Sequence, residues 1–118
     1  MTVNIYDNAN SMAKVLVETD QYKSWLTAFD AVQADAAAKD LFKQFQAIQM
    51  TVQQMMQAQQ QPTPEQEKEW DAVAKQVQEN DKIKDLMAAE QILNTLLGEI
   101  NEIVTKPVSE SYAKVQQA

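Results

Sequence analysis

Apolar side chains between residues 83 and 104 form two lines along one long predicted helix, and this pattern constrains the fold more than any other. The first line alternates by three and four residues, as in a coiled-coil seam. Together the lines cover an arc of roughly 220°, against about 100° for a helix at a protein surface. The first line is Ile83, Leu86, Glu90, Leu93, Leu97, Ile100 and Val104, interrupted once by the charge of Glu90, and the second is Ile92, Leu96 and Ile103. Such a helix must be covered on two sides, by its hairpin partner and by either the N-terminal helices or a second copy of the chain. We therefore predict that the second line is an interface for self-association as a dimer, or for a partner.

Helical periodicity also marks the segments before residue 83. Two short helices are predicted within about residues 4–33, and a third helix from 36 to about 59. The run Thr63-Pro64-Glu65-Gln66 predicts the start of a fourth helix, because threonine is a good cap and glutamine three residues later completes a capping box. Asn80-Asp81 favours a cap or turn, and the sequence leaves open whether the helix breaks there or continues.

One all-α domain is predicted over residues 1–118, a length that can bury a core without disulfides or metal. Its long antiparallel hairpin spans about 35–106, and the two short N-terminal helices pack across it. Lys106-Pro107 predicts the end of the last long helix, since proline lacks the backbone donor. Residues 107–118 are then a short helix or a frayed C-terminal tail.

The composition excludes many chemistries, because the chain contains no His, no Cys and no Arg. A thiolate metal site and the His-based forms of acid–base and nucleophilic catalysis are thereby excluded. With a single glycine, Gly98, the chain also has no glycine-rich phosphate loop and no nucleophile elbow. We predict no enzymatic activity, no cofactor and no bound metal.

The net charge of −7, from 17 carboxylates and 10 lysines, disfavours direct binding to nucleic acid. The N-terminal residues lack the basic start and apolar run of a signal peptide. No apolar stretch approaches the roughly 18 residues of a membrane span. We therefore predict a soluble cytoplasmic protein with no membrane association.

Three polar residues, Glu90, Asn94 and Asn101, fall at the edge of the apolar seam, and we predict that they are buried. A buried carboxylate needs a partner, so they could fix the helix register or form a polar site for a ligand, metal or partner chain. Met50 points away from the apolar stripe of the third helix and is a candidate docking residue.

Five stretches of the chain resemble the YlbF/YmcA-like family of small helical proteins from Gram-positive bacteria, and within it the YheA branch. They are Asn4-Ile5-Tyr6-Asp7, Val32-Gln33-Ala34-Asp35, Leu41-Phe42-Lys43-Gln44-Phe45, Leu86-Met87-Ala88-Ala89-Glu90-Gln91 and residues 100–107. The chain differs in having Ala36 where a proline commonly follows the aspartate, and in lacking arginine. The resemblance implies an all-α hairpin that commonly self-associates. It also implies kinship with non-catalytic accessory proteins of complexes that influence RNA processing, competence, sporulation and biofilm development. Some of those relatives are linked to iron-sulfur clusters through cysteine, which this chain lacks.

Two functions follow as hypotheses. The first is a non-catalytic accessory or regulatory protein that acts through protein–protein interaction, with unknown protein partners and as a homodimer. The alternative is a carrier of a small molecule or metal in a polar pocket around Glu90, Asn94 and Asn101.

Overall fold

The computed structural model describes residues 3–116, which form five α-helices and no strand. They are α1 (Ile5–Leu16), α2 (Asp20–Ala34), α3 (Ala36–Gln57), α4 (Pro64–Glu79) and α5 (Asp81–Gln116). The predicted all-α class is confirmed. Residues 1, 2, 117 and 118, including the end of the predicted tail, lie outside the described residues.

Polar caps at the helix starts explain the boundaries. Asn4 and Thr19 cap α1 and α2 through their side-chain oxygens. Thr63 and Gln66 form the predicted capping box at the start of α4, with N to O distances of 3.0 and 3.1 Å. Asn80 adopts an extended backbone and accepts a hydrogen bond from the backbone N–H of Ile83 at 3.1 Å. The chain therefore breaks at Asn80, and α4 and α5 are separate helices.

The core lies where α2, α3, α4 and the first part of α5 meet. The helices α3 and α4 form an antiparallel hairpin, and α2 lies antiparallel along the first half of α5. Ile83 and Leu86 of α5 are the largest fully buried side chains. The other residues of this buried cluster are Val32, Ala38, Leu41, Val73 and Val77, and Leu93 of α5 is buried as well. Trp25 and Phe29 of α2, stacked with ring centroids 5.2 Å apart, pack against this cluster.

Asp35 ties the start of α3 to α5. Its carboxylate accepts a hydrogen bond from Lys82 Nζ at 2.8 Å and another from the backbone N–H of Ala38 at 3.1 Å. The Lys82 hydrogen bond, aided by the Ala38 N–H, lowers the pKa of the Asp35 carboxyl. This polar contact joins the α2–α3 corner to the first turn of α5.

Two segments extend beyond the core. Helix α1 has no buried residue, and every residue of α5 after Ile100 is exposed. At about 1.5 Å per residue, the 36 residues of α5 span about 54 Å, close to the longest dimension of 55 Å. The radius of gyration is 19.6 Å, whereas a compact chain of this length has roughly 13.5 Å. The last part of α5, residues 97–116, is called the distal segment below.

The prediction that Lys106-Pro107 ends the last helix is wrong, because α5 continues through Pro107 to Gln116. A proline removes its own donor and crowds the carbonyl four residues earlier, here that of Ile103. Ile103 and Pro107 are exposed, so water can hydrogen-bond to that carbonyl. The Ser111 hydroxyl donates to the Pro107 carbonyl at 3.0 Å, within the turn that follows. The predicted boundary at 106 and 107 therefore falls inside one helix.

Candidate protein-binding surface

An open apolar groove lies between α1 and the distal segment of α5. Its volume is 540 Å³, and no charged side chain lines it. We call it the distal groove. Its lining residues are Ile5, Asn8, Ala9, Met12, Ala13 and Leu16 of α1, with Leu97, Ile100 and Val104 of α5.

The turn between α1 and α2 positions the first wall of the groove. The Thr19 hydroxyl donates to the Leu16 carbonyl at 2.7 Å and accepts from the Tyr22 backbone N–H at 3.2 Å. This side chain thus holds the end of α1 and the start of α2 together. Because α2 packs along the first half of α5, α1 continues beside the second half.

Both walls place their apolar side chains toward the groove and their charges away from it. At 100° per residue, Ile5, Ala9, Met12 and Leu16 share one face of α1, and Asp7 and Lys14 lie on the opposite face. The two walls leave Ile5, Met12, Leu97 and Val104 exposed in the single chain. Exposed apolar area costs about 25 cal/mol per Å², so covering this groove is favourable.

The residues predicted as an interface do not form one continuous surface. Ile92 is 59% exposed, Ile103 is 72% exposed, and Leu96 between them is half-buried. Ile92 borders a shallow depression beside the start of α2, whereas Ile103 lies among Glu99, Glu102 and Lys106 on the far side of α5. Met50, 63% exposed, stands on α3. The structure therefore brings none of these four residues into the distal groove, and their role as an interface stays a prediction.

The prediction that Glu90, Asn94 and Asn101 are buried is wrong for the single chain, where all three are exposed. At the level of Glu90 and Asn94, α2 covers the side of α5 that carries Ala89 and Leu93. Asn101 lies beyond the start of α2, where every residue of α5 after Ile100 is exposed. Around the axis of α5, Glu90 lies about 60° and Asn94 about 100° from Leu93, so both side chains lie outside the side that α2 covers. The sequence predicted which residues lie along the apolar face of α5, but not the side from which α2 packs against that face.

Glu90 and Asn94 line a shallow depression together with Met87, Gln91 and Thr95, and Asn101 is not among its lining residues. All five lining residues belong to α5, so no second element closes the depression. Among residues 3–116, no group of three or more Asp or Glu side chains converges in a way that could hold a metal ion. The structure thus brings two of the three polar residues together on an open surface.

The described part of the chain also contains no helix that is both long enough and apolar enough to cross a membrane.

Sequence periodicity alone indicates each wall of the groove separately. The face of α1 and the Leu97, Ile100 and Val104 positions of α5 both appear as apolar stripes. Their juxtaposition depends on the tight turn at Thr19 and on α2 lying along α5. This long-range arrangement has no local sequence signal.

Comparisons with known proteins by family pattern, by sequence and by fold agree with one another. The family described as control of competence regulator ComK, YlbF/YmcA, matches residues 5–109. A UPF0342 protein from Leuconostoc mesenteroides is 67% identical over 117 residues, which cover 99% of this chain and 100% of that protein. The structure of yheA from Bacillus subtilis is similar with a TM-score of 0.70 at 30% identity, covering 93% of this chain and 100% of that one.

A second similar structure is that of Bacillus subtilis RicA, solved in complex with RicF. It has a TM-score of 0.67 at 20% identity and covers 95% of this chain and 99% of that one. At this level of identity the likeness shows a common fold.

Proposed function

We propose that this chain, which belongs to the YlbF/YmcA family, acts as a non-catalytic accessory or regulatory subunit that binds other polypeptides. The observation that carries the proposal is the distal groove, an uncharged apolar surface formed by two helices that extend from the core. A large exposed apolar surface of this kind is typical of protein-binding sites.

The comparisons support binding to a protein. The family is described by control of the competence regulator ComK, and the similar protein RicA was crystallised with a protein partner, RicF. The resemblance extends the proposal to complexes that affect RNA processing or development. With a net charge of −7 and no arginine, this chain would contribute to such a cytoplasmic complex by contacting protein.

Affinity capture tests this function. Met12→Lys places a charge in the groove, whereas Asn10→Lys places the same charge on the opposite, exposed face of α1. We expect the tagged chain, captured from its own cells, to bring down a stoichiometric partner protein that also binds the purified chain. Met12→Lys should weaken this binding at least about tenfold, which corresponds to about 1.4 kcal/mol. Asn10→Lys should bind like the unmodified chain.

Equal binding by the two lysine variants would remove the groove from the proposed function. Turnover of a substrate by the purified chain would overturn the non-catalytic assignment itself.

A further inference from the structure

We propose that the open face of α5 around Gly98 binds a basic helix of a partner protein. This surface, called the Gly98 face below, comprises the side chains between residues 87 and 105 that lie within about 60° of Gly98 around the helix axis. They are Met87, Gln91, Asn94, Thr95, Asn101, Glu102 and Thr105, and all seven are exposed. The α5 residues of the distal groove lie at least about 100° away from Gly98. The inference rests on the proposed function, since it adds a second protein-binding surface to the same subunit.

Gly98 has no packing role within its own chain. It is the only glycine in the sequence, and it lies inside a helix of 36 residues, where glycine is less stable than alanine. A Cβ atom at this position would meet no atom within 4 Å outside the backbone of its own helix, and the backbone φ of Gly98 is not positive. The missing side chain does allow a second helix to approach α5 to an interaxial distance of about 8 Å, the close end of the range for packed helices.

The charge of this part of α5 determines which kind of helix fits. Residues 85–105 contain four carboxylates and no lysine, and all four carboxylates are exposed. Within residues 3–116 the ion pairs are Asp35–Lys82 and Lys106–Glu110, so these four carboxylates are unpaired there. The unneutralised charge attracts lysine and arginine. It repels the phosphates of RNA and the same face of a second copy of this chain.

A shallow depression on α5 provides a place for one cation of the partner helix. Its volume is 370 Å³, and Glu90 and Asn94 are among its lining residues. Their carboxylate and carboxamide oxygens accept hydrogen bonds from lysine or arginine. Glu102 lies on the other side of Gly98, about 18 Å from Glu90 along the helix axis. A helix that crosses α5 at Gly98, with a cation on each side of the crossing, therefore meets both carboxylates.

Photo-cross-linking in the protein's own cells tests the chemistry of the partner. A benzophenone amino acid is placed at Gln91, on the Gly98 face, or at Gln76, an equally accessible class of position on α4. We expect the probe at Gln91 to link one other protein, through a segment in which lysine and arginine outnumber aspartate and glutamate. The probe at Gln76 should link this protein at least about tenfold less.

Substitutions at Gly98 then test the close approach, with the cross-linked protein purified as the probe. Gly98→Ala should weaken its binding less than about threefold, whereas Gly98→Met should weaken it at least about tenfold, because the longer side chain keeps the two helices apart. Both variants should unfold at a urea concentration at or above that of the unmodified chain, since alanine and methionine favour helix more than glycine does.

Charge removal tests the complementarity. Glu102→Gln should weaken binding about threefold at low salt, and the difference should vanish at high salt, where exposed charges are screened. The matched control is Glu67→Gln on α4, which should bind like the unmodified chain at both salt concentrations.

The inference is overturned if the probe at Gln91 links nothing, links RNA or a second copy of this chain, or links an acidic segment. Unchanged binding by Gly98→Met overturns it as well. A partner whose binding is weakened by Met12→Lys but not by Gly98→Met contradicts this inference alone. The absence of any stoichiometric partner contradicts the accessory role on which the inference rests.

Discussion

Ile83→Ala is expected to lower the free energy of unfolding by about 3 kcal/mol, within the range of roughly 2–5 kcal/mol for deleting a large buried aliphatic side chain. Ile83 is 0% exposed and lies at the junction of α2, α3, α4 and α5. Its removal leaves a cavity among helices held in place by the Asn80 cap and the Asp35–Lys82 ion pair. Urea denaturation followed by circular dichroism measures the loss.

Ile103→Ala is the matched control, since it makes the same chemical change on the same helix at a position 72% exposed. We expect it to change stability by less than about 0.5 kcal/mol. Comparable losses for the two variants would show that the core extends further along α5 than the structure indicates.

Val104→Asp is expected to leave the core folded but to free α1. Helix α1 has 12 residues and no buried side chain, and isolated helices shorter than about 12–15 residues are marginal in water. Its backbone hydrogen bonds should therefore be protected from exchange only while the groove is filled. Hydrogen exchange measured by mass spectrometry should show α1 of the variant exchanging on the order of a hundredfold faster than in the unmodified chain, equivalent to about 2.8 kcal/mol.

The segment of α5 that carries Ile83 and Leu86 serves as the internal reference and should keep its protection in both proteins. The control variant is Met50→Asp, which places the same charge at an exposed apolar position on α3. It should leave the amides of α1 protected from exchange. Unchanged α1 exchange in Val104→Asp would show that α1 is stable without an occupant in the groove.

Local sequence signals predicted helix starts better than helix ends. The Thr63 capping box was recognisable because all its partners lie within four residues of each other. The helix end predicted at Pro107 was wrong because the expectation that proline ends a helix takes no account of solvent exposure. Here the carbonyl that loses its hydrogen bond belongs to an exposed residue, and α5 continues. The break at Asn80 remained open in the sequence because asparagine is compatible with both outcomes.

The candidate site shows the same limit over longer distances. Periodicity identified which residues share a face of α5, including Leu97, Ile100 and Val104. It could not show that α2 covers only one side of the first half, and so it placed Glu90 and Asn94 in the interior. Neighbours distant in sequence decide which part of a wide apolar arc becomes core and which part stays exposed.

Oxidation of two methionines by dilute peroxide tests most directly whether a polypeptide covers the distal groove. In the single chain Met12, in the groove, and Met87, outside it, are almost equally exposed, at 43% and 39%. Sulfoxide formation follows exposure, so in Val104→Asp, where α1 is freed, Met12 should be oxidised at least as fast as Met87. In the unmodified chain bound to its captured partner protein, we predict that Met12 is oxidised at least about tenfold more slowly than Met87, because the partner covers the groove. Equal rates for Met12 and Met87 in that complex, at a concentration where the partner is fully bound, would contradict this account.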